Sequence, residues 1–295
     1  MNTLLFDGNN LAMRSIHAMA RSGLSADGVH TGPLYVFINS LTRHIREEDP
    51  DSVVVCWDSG VSDFRTQIDP GYKAHRKQAT PEQDAEKRSH FGLMKEFLSL
   101  ANIHQVERPG FEADDLIAYY AAEQRKARRY TVILSSDHDF LQLLDDMTSQ
   151  VRFSSSDTPT DRWTAERVEG EHGCTPEQFG LAMALAGDPG DGVPGVPGFG
   201  MKTALKHLRV ADFDLDSIEH PKVLEHREQI DRARLLTDLR TPHASIELPP
   251  LPEFHPTRPG DALYEEYIRF LTRYRMQKIK DRVFNHTLWK EESHV

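Results

Sequence analysis

Two rhythms of apolar and polar positions alternate along the first half of the chain. Thr3-Leu4-Leu5-Phe6-Asp7, Val53-Val54-Val55-Cys56-Trp57-Asp58 and Thr131-Val132-Ile133-Leu134-Ser135-Ser136-Asp137 are short apolar runs without polar alternation, each ending in an aspartate. Such β-branched-rich runs predict parallel strands buried on both faces. Between them the apolar spacing lengthens to that of a helix. Residues 32–46 repeat through Leu34, Phe37, Ile38, Leu41 and Ile45. A second helix opens on Thr80-Pro81-Glu82-Gln83, a capping box with proline at the first position, and runs to about Ala101 with Phe91, Met94, Phe97 and Leu98 on one side. A third spans residues 113–125. Strand–helix alternation of this kind makes an α/β fold with a doubly wound parallel sheet the expectation. Ligands in such sheets sit beyond the carboxyl ends of the strands, where Asp7, Asp58 and Asp137 stand.

The texture changes after Asp139. Val151-Arg152-Phe153 and Asp161-Arg162-Trp163 predict a hairpin, and Thr175-Pro176-Glu177-Gln178 caps a helix through about Ala186. A glycine- and proline-rich segment, 187–200, leads into a helix over 201–208. The remainder reads as helical, broken by a Pro-rich loop at 241–259 and closed by one long helix over 261–282. The expected division is a core at 1–186 and a helical region at 187–295.

At 295 residues the chain is comfortable for two unequal units, and 38 % hydrophobic content suits a soluble α/β protein. No apolar stretch approaches the roughly 20 residues needed to span a bilayer. The N-terminus lacks a basic leader, and the two cysteines, Cys56 and Cys174, make neither a disulfide framework nor a metal-type pair. A cytoplasmic location is expected. The net charge of −11 argues against a nucleic-acid partner, whose affinity comes mostly from Lys and Arg. Its distribution changes that picture: carboxylates gather at the ends of apolar runs and basic residues cluster elsewhere, and two divalent cations would cancel about four negative charges locally.

Three groupings carry candidate chemistry. Besides the strand-end aspartates, Glu112-Ala113-Asp114-Asp115 begins a helix, Asp139 follows Asp137, and Asp188 and Asp191 lie three apart. Alone, the Glu112 group reads as ordinary acidic charging of a helix N-terminus, and Asp188-Pro189-Gly190-Asp191 as turn chemistry. Together these acids would repel one another unless cations were bound, and carboxylate oxygens are the hard ligands that Mg²⁺ prefers. Next, Gly71-Tyr72-Lys73-Ala74-His75-Arg76-Lys77 puts Lys73 and Arg76 three apart, on one face at helical spacing, where they suit a phosphate held beside the acids. On local evidence alone, a solvated basic loop is the alternative reading of this segment. Last, Gly195, Gly198 and Gly200 precede a helix start carrying Lys202, Thr203 and Lys206, with His207 and Arg209 beyond, a backbone N–H site for phosphate. The distal Arg269, Arg273, Arg275, Lys278, Lys280 and Arg282 read equally as a DNA-tracking surface and as a solvated helix face.

In this order, Phe6-Asp7-Gly8-Asn9-Asn10, Trp57-Asp58, Tyr72-Lys73-Ala74-His75-Arg76, Glu112-Ala113-Asp114-Asp115, Ser136-Asp137-His138-Asp139, Gly187-Asp188-Pro189-Gly190-Asp191 and the 193–204 hairpin resemble the flap endonuclease / 5′→3′ exonuclease family, which includes compact bacteriophage forms and the 5′ nuclease domain of bacterial DNA polymerase I. The resemblance covers about the first 210 residues. It implies a PIN-like parallel-sheet nuclease core, a helical arch at about 72–101, and a helix–hairpin–helix element of the H3TH type gripping duplex DNA. It also implies a first-metal group (Asp7, Asp58, Glu112, Asp114, Asp115) and a second-metal group (Asp137, Asp139, Asp188, Asp191). Lys73 and Arg76 resemble cations that contact the scissile phosphate, Tyr72 an aromatic that stacks on an unpaired base, and Val193, Val196 and Phe199 a backbone potassium site.

The implied activity is two-ion hydrolysis of DNA at 5′ flaps, nicks or free 5′ ends in replication and repair, using Mg²⁺ with Mn²⁺ as a substitute, by a monomer with no membrane association. Two other readings stand beside it. One is an enzyme of the same build that removes RNA primers from RNA–DNA hybrids. The other is an inactive structure-specific DNA-binding protein.

Overall fold

The computed structural model describes residues 2–76, 79–153, 160–240, 248, 251 and 260–283. Most of the expected Pro-rich loop, the tail beyond 283 and Lys77 lie outside them. In chain order the elements begin β1 Asn2–Asp7, α1 Gly8–Met19, β2 Ser25–Ala26, β3 Val29–His30, α2 Gly32–Glu48, β4 Ser52–Trp57 and α3 Asp63–Ile68. They continue α4 Pro81–Leu100, β5 His104–Glu107, α5 Ala113–Lys126, β6 Tyr130–Leu134, β7 Thr148–Arg152, β8 Asp161–Trp163, α6 Ala165–His172 and α7 Pro176–Ala186. The last are β9 Gly187–Asp188, β10 Val193–Pro194, α8 Met201–Val210, α9 Pro221–Glu225, α10 Arg227–Thr237, α11 Asp261–Arg273 and α12 Gln277–Val283.

The main sheet runs β5-β4-β1-β6-β7-β8, parallel except for β8, which pairs antiparallel with β7 as the expected hairpin. The chain builds outward from β1 through β4 to β5, then returns to lay β6 on the other side of β1. That reversal is the switch point at which doubly wound sheets open a crevice, and β1 ends there on Asp7.

Side-chain alternation explains the apolar runs. Leu4 and Phe6 of β1, Val53, Val55 and Trp57 of β4, and Val132 and Leu134 of β6 face α1, α2, α4 and α11. Leu5, Val54, Cys56 and Ile133 face α5 on the opposite side. Strands covered on both faces have no polar side to present. A further core joins α6, α7, α8, α9 and α10 through residues from Leu141 to Ile230. The division expected at 186/187 therefore cuts through packed side chains, because Phe179, Met183 and Leu185 of α7 share that core with Leu205 and Leu208 of α8. Meanwhile α11 returns to the first core with Tyr267, Phe270 and Leu271.

Both capping boxes form as read, at Thr80–Gln83 and Thr175–Gln178. The single helix expected over 261–282 is broken between α11 and α12, where Arg275 takes a left-handed backbone (φ 57°). The periodicity did not reveal α1, the β2–β3 hairpin or β5, all short or polar on one side.

Phe97, fully buried, packs its ring 5.7 Å from Tyr267 and 6.4 Å from Phe270, joining α4 to α11. Phe97→Ala should cost about 3–5 kcal/mol, read as a lowered urea midpoint at unchanged slope.

Candidate metal centre and its basic rim

The acids arrive at one edge from separate parts of the chain. Asp7 closes β1 and caps α1, accepting the Asn10 N–H at 2.9 Å and the Ser135 hydroxyl at 2.8 Å. Asp58 follows β4 and is fixed on both sides: Asn9 Nδ2 donates to Oδ2 at 2.6 Å and the Ala113 N–H to Oδ1 at 2.8 Å. Glu112, Asp114 and Asp115 form the first turn of α5, and one oxygen from each lies within 4.8 Å of the others. Asp137 and Asp139 follow β6, with the Asp139 N–H donating to Asp137 Oδ1 at 3.0 Å. Asp188 ends β9 and organises a turn by accepting the N–H groups of Gly190 (2.8 Å) and Asp191 (3.3 Å).

Electrostatic coupling links all nine acids. Burial pushes the Asp7 carboxyl up to about 7, with Asp58 and Asp137 adding to the rise against its two hydrogen bonds. Burial also raises Asp139 well above the usual carboxylate range, reinforced by Asp137, Asp188, Asp114 and Asp191. Asp58 is raised by burial and by Asp114, against the Ala113 N–H. Acids held at raised pKa by burial and by each other fit divalent cations, which would reverse the sign of the local field.

Part of the compensation is already built in. Arg65, on α3 and almost fully buried, places Nη1 3.0 Å from Asp115 Oδ2 and 3.3 Å from Glu112 Oε2, and Nη2 2.9 Å from Asp115 Oδ1. Its Nε–H donates to the Leu236 carbonyl at 2.9 Å. Burial opposes the guanidinium's charge, yet Asp114, Asp115, Tyr72 and Glu112 hold its pKa above the ordinary value. Both oxygens of the fully buried Asp115 thus lie against one guanidinium, Oδ2 as a hydrogen-bond acceptor and Oδ1 within ion-pair distance only.

The basic pair also meets the acids. Residues 71–76 form a turn, not a helix, and Lys73 has a left-handed backbone (φ 57°). Lys73 and Arg76 consequently do not share a helix face as their spacing predicts; they converge on Asp191 instead. Lys73 Nζ donates to Glu112 Oε1 at 2.6 Å and lies 3.5 Å from Asp191, while Arg76 pairs with Asp191 and reaches the Gly190 carbonyl at 3.3 Å. Tyr72 departs further from its expected place beside a base. It is buried with Val193, Ala233 and Leu236, its hydroxyl is 2.9 Å from both Glu112 and Asp191, and Lys73 and Arg65 lie over its ring. The ring has no open face for an unpaired base; it buttresses the acids.

In the connection between α7 and α8, Gly187 and Gly195 pass so closely that a Cβ on Gly195 would lie 2.0 Å from the Ala186 carbonyl oxygen. Gly198 takes φ +87°, and Gly200 caps α8, from which Lys202 and Lys206 project into solvent beside half-buried Thr203. Val193, Val196 and Phe199 bury their side chains; the Val196 carbonyl accepts the Phe199 N–H at 2.9 Å, and the adjacent Pro197 carbonyl accepts Lys222 Nζ at 2.9 Å. In the distal basic set, Arg273 pairs with Asp27 at 2.6 Å and Arg269 with Glu265 at 3.8 Å.

Sequence reading missed Arg65, Ser135 and the roles of Asn9 and Asn10. Asn9 and Asn10 were visible beside Asp7. Arg65 carries no local signal, since its partners lie 47 and 50 residues away.

Residues 2–173 match the family model described as the 5′-3′ exonuclease, N-terminal resolvase-like domain. This chain belongs to the 5′-3′ exonuclease family. It is 35 % identical over 206 residues to DNA polymerase I of Mycobacterium tuberculosis (strain ATCC 25618 / H37Rv), 70 % of this chain and 22 % of that protein. It is 34 % identical over 233 residues to DNA polymerase I of Bacillus subtilis (strain 168), 79 % of this chain and 25 % of that protein. The chain therefore spans about a quarter of the length of these curated relatives. The 5′-3′ exonuclease fold recurs in the zinc-bound T5 5′-exonuclease structure, with TM-score 0.69 and 22 % identity over 93 % of this chain and all of that one. No helix among the described residues is long and apolar enough to cross a membrane.

The raised carboxyls set a pH dependence. Asp7 in the folded protein keeps its proton to about pH 7, whereas in the unfolded chain it loses it near pH 4. The folded state binds more protons across that window, so metal-free stability should fall as pH rises from about 4 to 7. Thermal unfolding should show it, with added divalent metal raising Tm by at least roughly 3 °C more at pH 8 than at pH 5. An equal metal effect at both values would contradict this assignment.

Proposed function

We propose that this protein is a structure-specific 5′ nuclease, hydrolysing phosphodiester bonds near flaps, nicks and free 5′ ends of DNA in replication or repair. The observation that carries the reading is the convergence of nine carboxylates, several buried at raised pKa, at the switch-point edge of a parallel sheet, with Lys73 and Arg76 on their rim. A site built only for structural ion pairs would match its acids with bases, and here acids exceed bases.

Two cations, Mg²⁺ with Mn²⁺ as a substitute, suit this all-oxygen donor set. Asp7, Asp58 and Asp114 would hold one, with Glu112 and Asp115 oriented behind them by Arg65; Asp137, Asp139, Asp188 and Asp191 would hold the other. When bound, the ions supply positive charge against the phosphate oxygens and a lowered pKa for the attacking water. The chain's own groups do the rest. Asn9, Asn10, Ser135 and the Ala113 N–H fix the carboxylates of Asp7 and Asp58 and the loop behind them, so that little reorganisation remains. Lys73 and Arg76 offer a phosphate the same charge complement that they now give Glu112 and Asp191.

The first half of α4, residues 81–89, is largely solvent-exposed, whereas His90, Leu93, Met94, Phe97 and Leu98 anchor the second half. This contrast supports reading the α4 region as the arch. The α7–α8 connection, with Gly195, Gly198, Gly200, Lys202, Thr203 and Lys206, would follow the duplex backbone, with a potassium ion at the Val193, Val196 and Phe199 carbonyls belonging to the same reading.

Asp139→Asn should lower single-turnover cleavage of a 5′-labelled flap by about 100-fold or more while duplex binding persists; near-normal turnover would refute the second-ion group. Lys73→Ala should slow the chemical step itself, and an effect confined to affinity would reduce Lys73 to positioning. Running flap DNA and an RNA–DNA hybrid in parallel separates the DNA reading from primer removal. Complete absence of metal-dependent cleavage on either would leave only DNA binding.

A further inference from the structure

Away from the carboxylate edge, His30, Glu86 and His90 converge between the β2–β3 hairpin and α4. One donor atom from each lies within 4.8 Å of the others. Glu86 and His90 are four apart on α4, so they share a helix face. Their side chains meet, with Glu86 Oε1 3.8 Å from His90 Nε2. The His30 and His90 rings lie edge to face, centroids 5.8 Å apart.

His90 is the telling residue. It is 3 % exposed, and neither ring nitrogen has a hydrogen-bond partner among the described residues. Burial lowers its pKa against the opposing pull of Glu86, and the lone pair of the neutral ring meets no donor among the described residues. Proteins seldom leave a buried polar group in that state without a partner. The Ser22 hydroxyl sits 2.8 Å from His30 Nε2, where it fixes the ring as the outer partners of metal-bound histidines do.

We propose that His30, Glu86 and His90 form a second metal site, for a first-row transition dication of the Zn²⁺ type, which ties the β2–β3 hairpin to α4. Two imidazoles and one carboxylate are a three-ligand zinc set, with water able to complete the tetrahedron. Tetrahedral zinc holds its donors about 3.3 Å apart, so modest side-chain rotation closes the present triad. The donors also separate this site from the carboxylate centre: nitrogen ligands select against Mg²⁺, and all-oxygen clusters suit it. Position gives the site a consequence. His90 stands where the anchored half of α4 gives way to its exposed half, and Glu86 lies one turn into the exposed part, so a bound ion would restrain a stretch of helix whose side chains are mostly exposed.

The test uses the full chain, stripped with chelator and titrated with Zn²⁺ in millimolar Mg²⁺, which keeps the carboxylate centre filled. Nitrogen-15 spectra of the imidazoles should show His30 and His90 shifting together at one equivalent, and amide exchange across 81–90 should slow. Glu86→Gln and His30→Gln, at exposed and half-exposed positions that do not threaten the fold, should each weaken Zn²⁺ binding by more than the roughly 10–100-fold lost with an outer-sphere partner. Asp139→Asn should leave it intact, which separates failure of this site from failure of the nuclease reading. Unmoved His30 and His90 signals, or unchanged Zn²⁺ affinity in both variants, would overturn the proposal.

Discussion

Mutual repulsion among carboxylates at the carboxyl edge of β1, β4 and β6 is the constraint around which this protein is organised. Taking a carboxylate out of water is costly, and crowding it with others costs more. Burial first, and neighbouring carboxylates after it, push the Asp7 and Asp139 carboxyls above the usual carboxylate range. The fold meets it through Arg65, buried between α3 and α5 and reaching Asp115 and Glu112 together, and through the backbone N–H groups and asparagines that grip Asp7 and Asp58. What these do not neutralise is left for cations and for a substrate's surroundings.

Several features that look like separate motifs are one device. The β1–α1 junction uses Asp7 both as helix cap and as cluster member, while Asn9 and Asn10 turn back to Asp58 and Ser136. In the 71–76 turn, Tyr72 points inward and Lys73 and Arg76 point across to Glu112 and Asp191. The Lys73 N–H bonds the Asp191 carbonyl at 2.8 Å, stitching that turn to the β9–β10 loop. The second core thereby registers against the first through the acids themselves, and a change at Asp191 is felt at Tyr72 and Lys73 together.

Much of this was legible in the sequence, and the reason is physical. Long apolar runs, proline-assisted capping boxes and acids at strand ends are local signals, and β1, β4, β6, α4, α5 and α7 followed from them. Relations that exist only after folding were not legible. Arg65 sits in a six-residue helix that looks like solvated surface until Glu112 and Asp115 close over it. Tyr72 reads as a presented aromatic, and only the packing of Val193, Ala233 and Leu236 shows it buried. The short strands β2, β3 and β5 owe their pairing to neighbours more than to composition, and the break after α11 depends on a single left-handed residue, Arg275.

The return of α11 to the first core carries one more consequence. The family match ends at residue 173, yet the apolar face of α4 and of the sheet is closed by Tyr267, Phe270 and Leu271, nearly a hundred residues later. Excising the N-terminal segment at a boundary drawn from sequence similarity would strip this cover and present a greasy, self-adhesive flank to solvent. The cover of that core thus comes from α11, outside the matched segment.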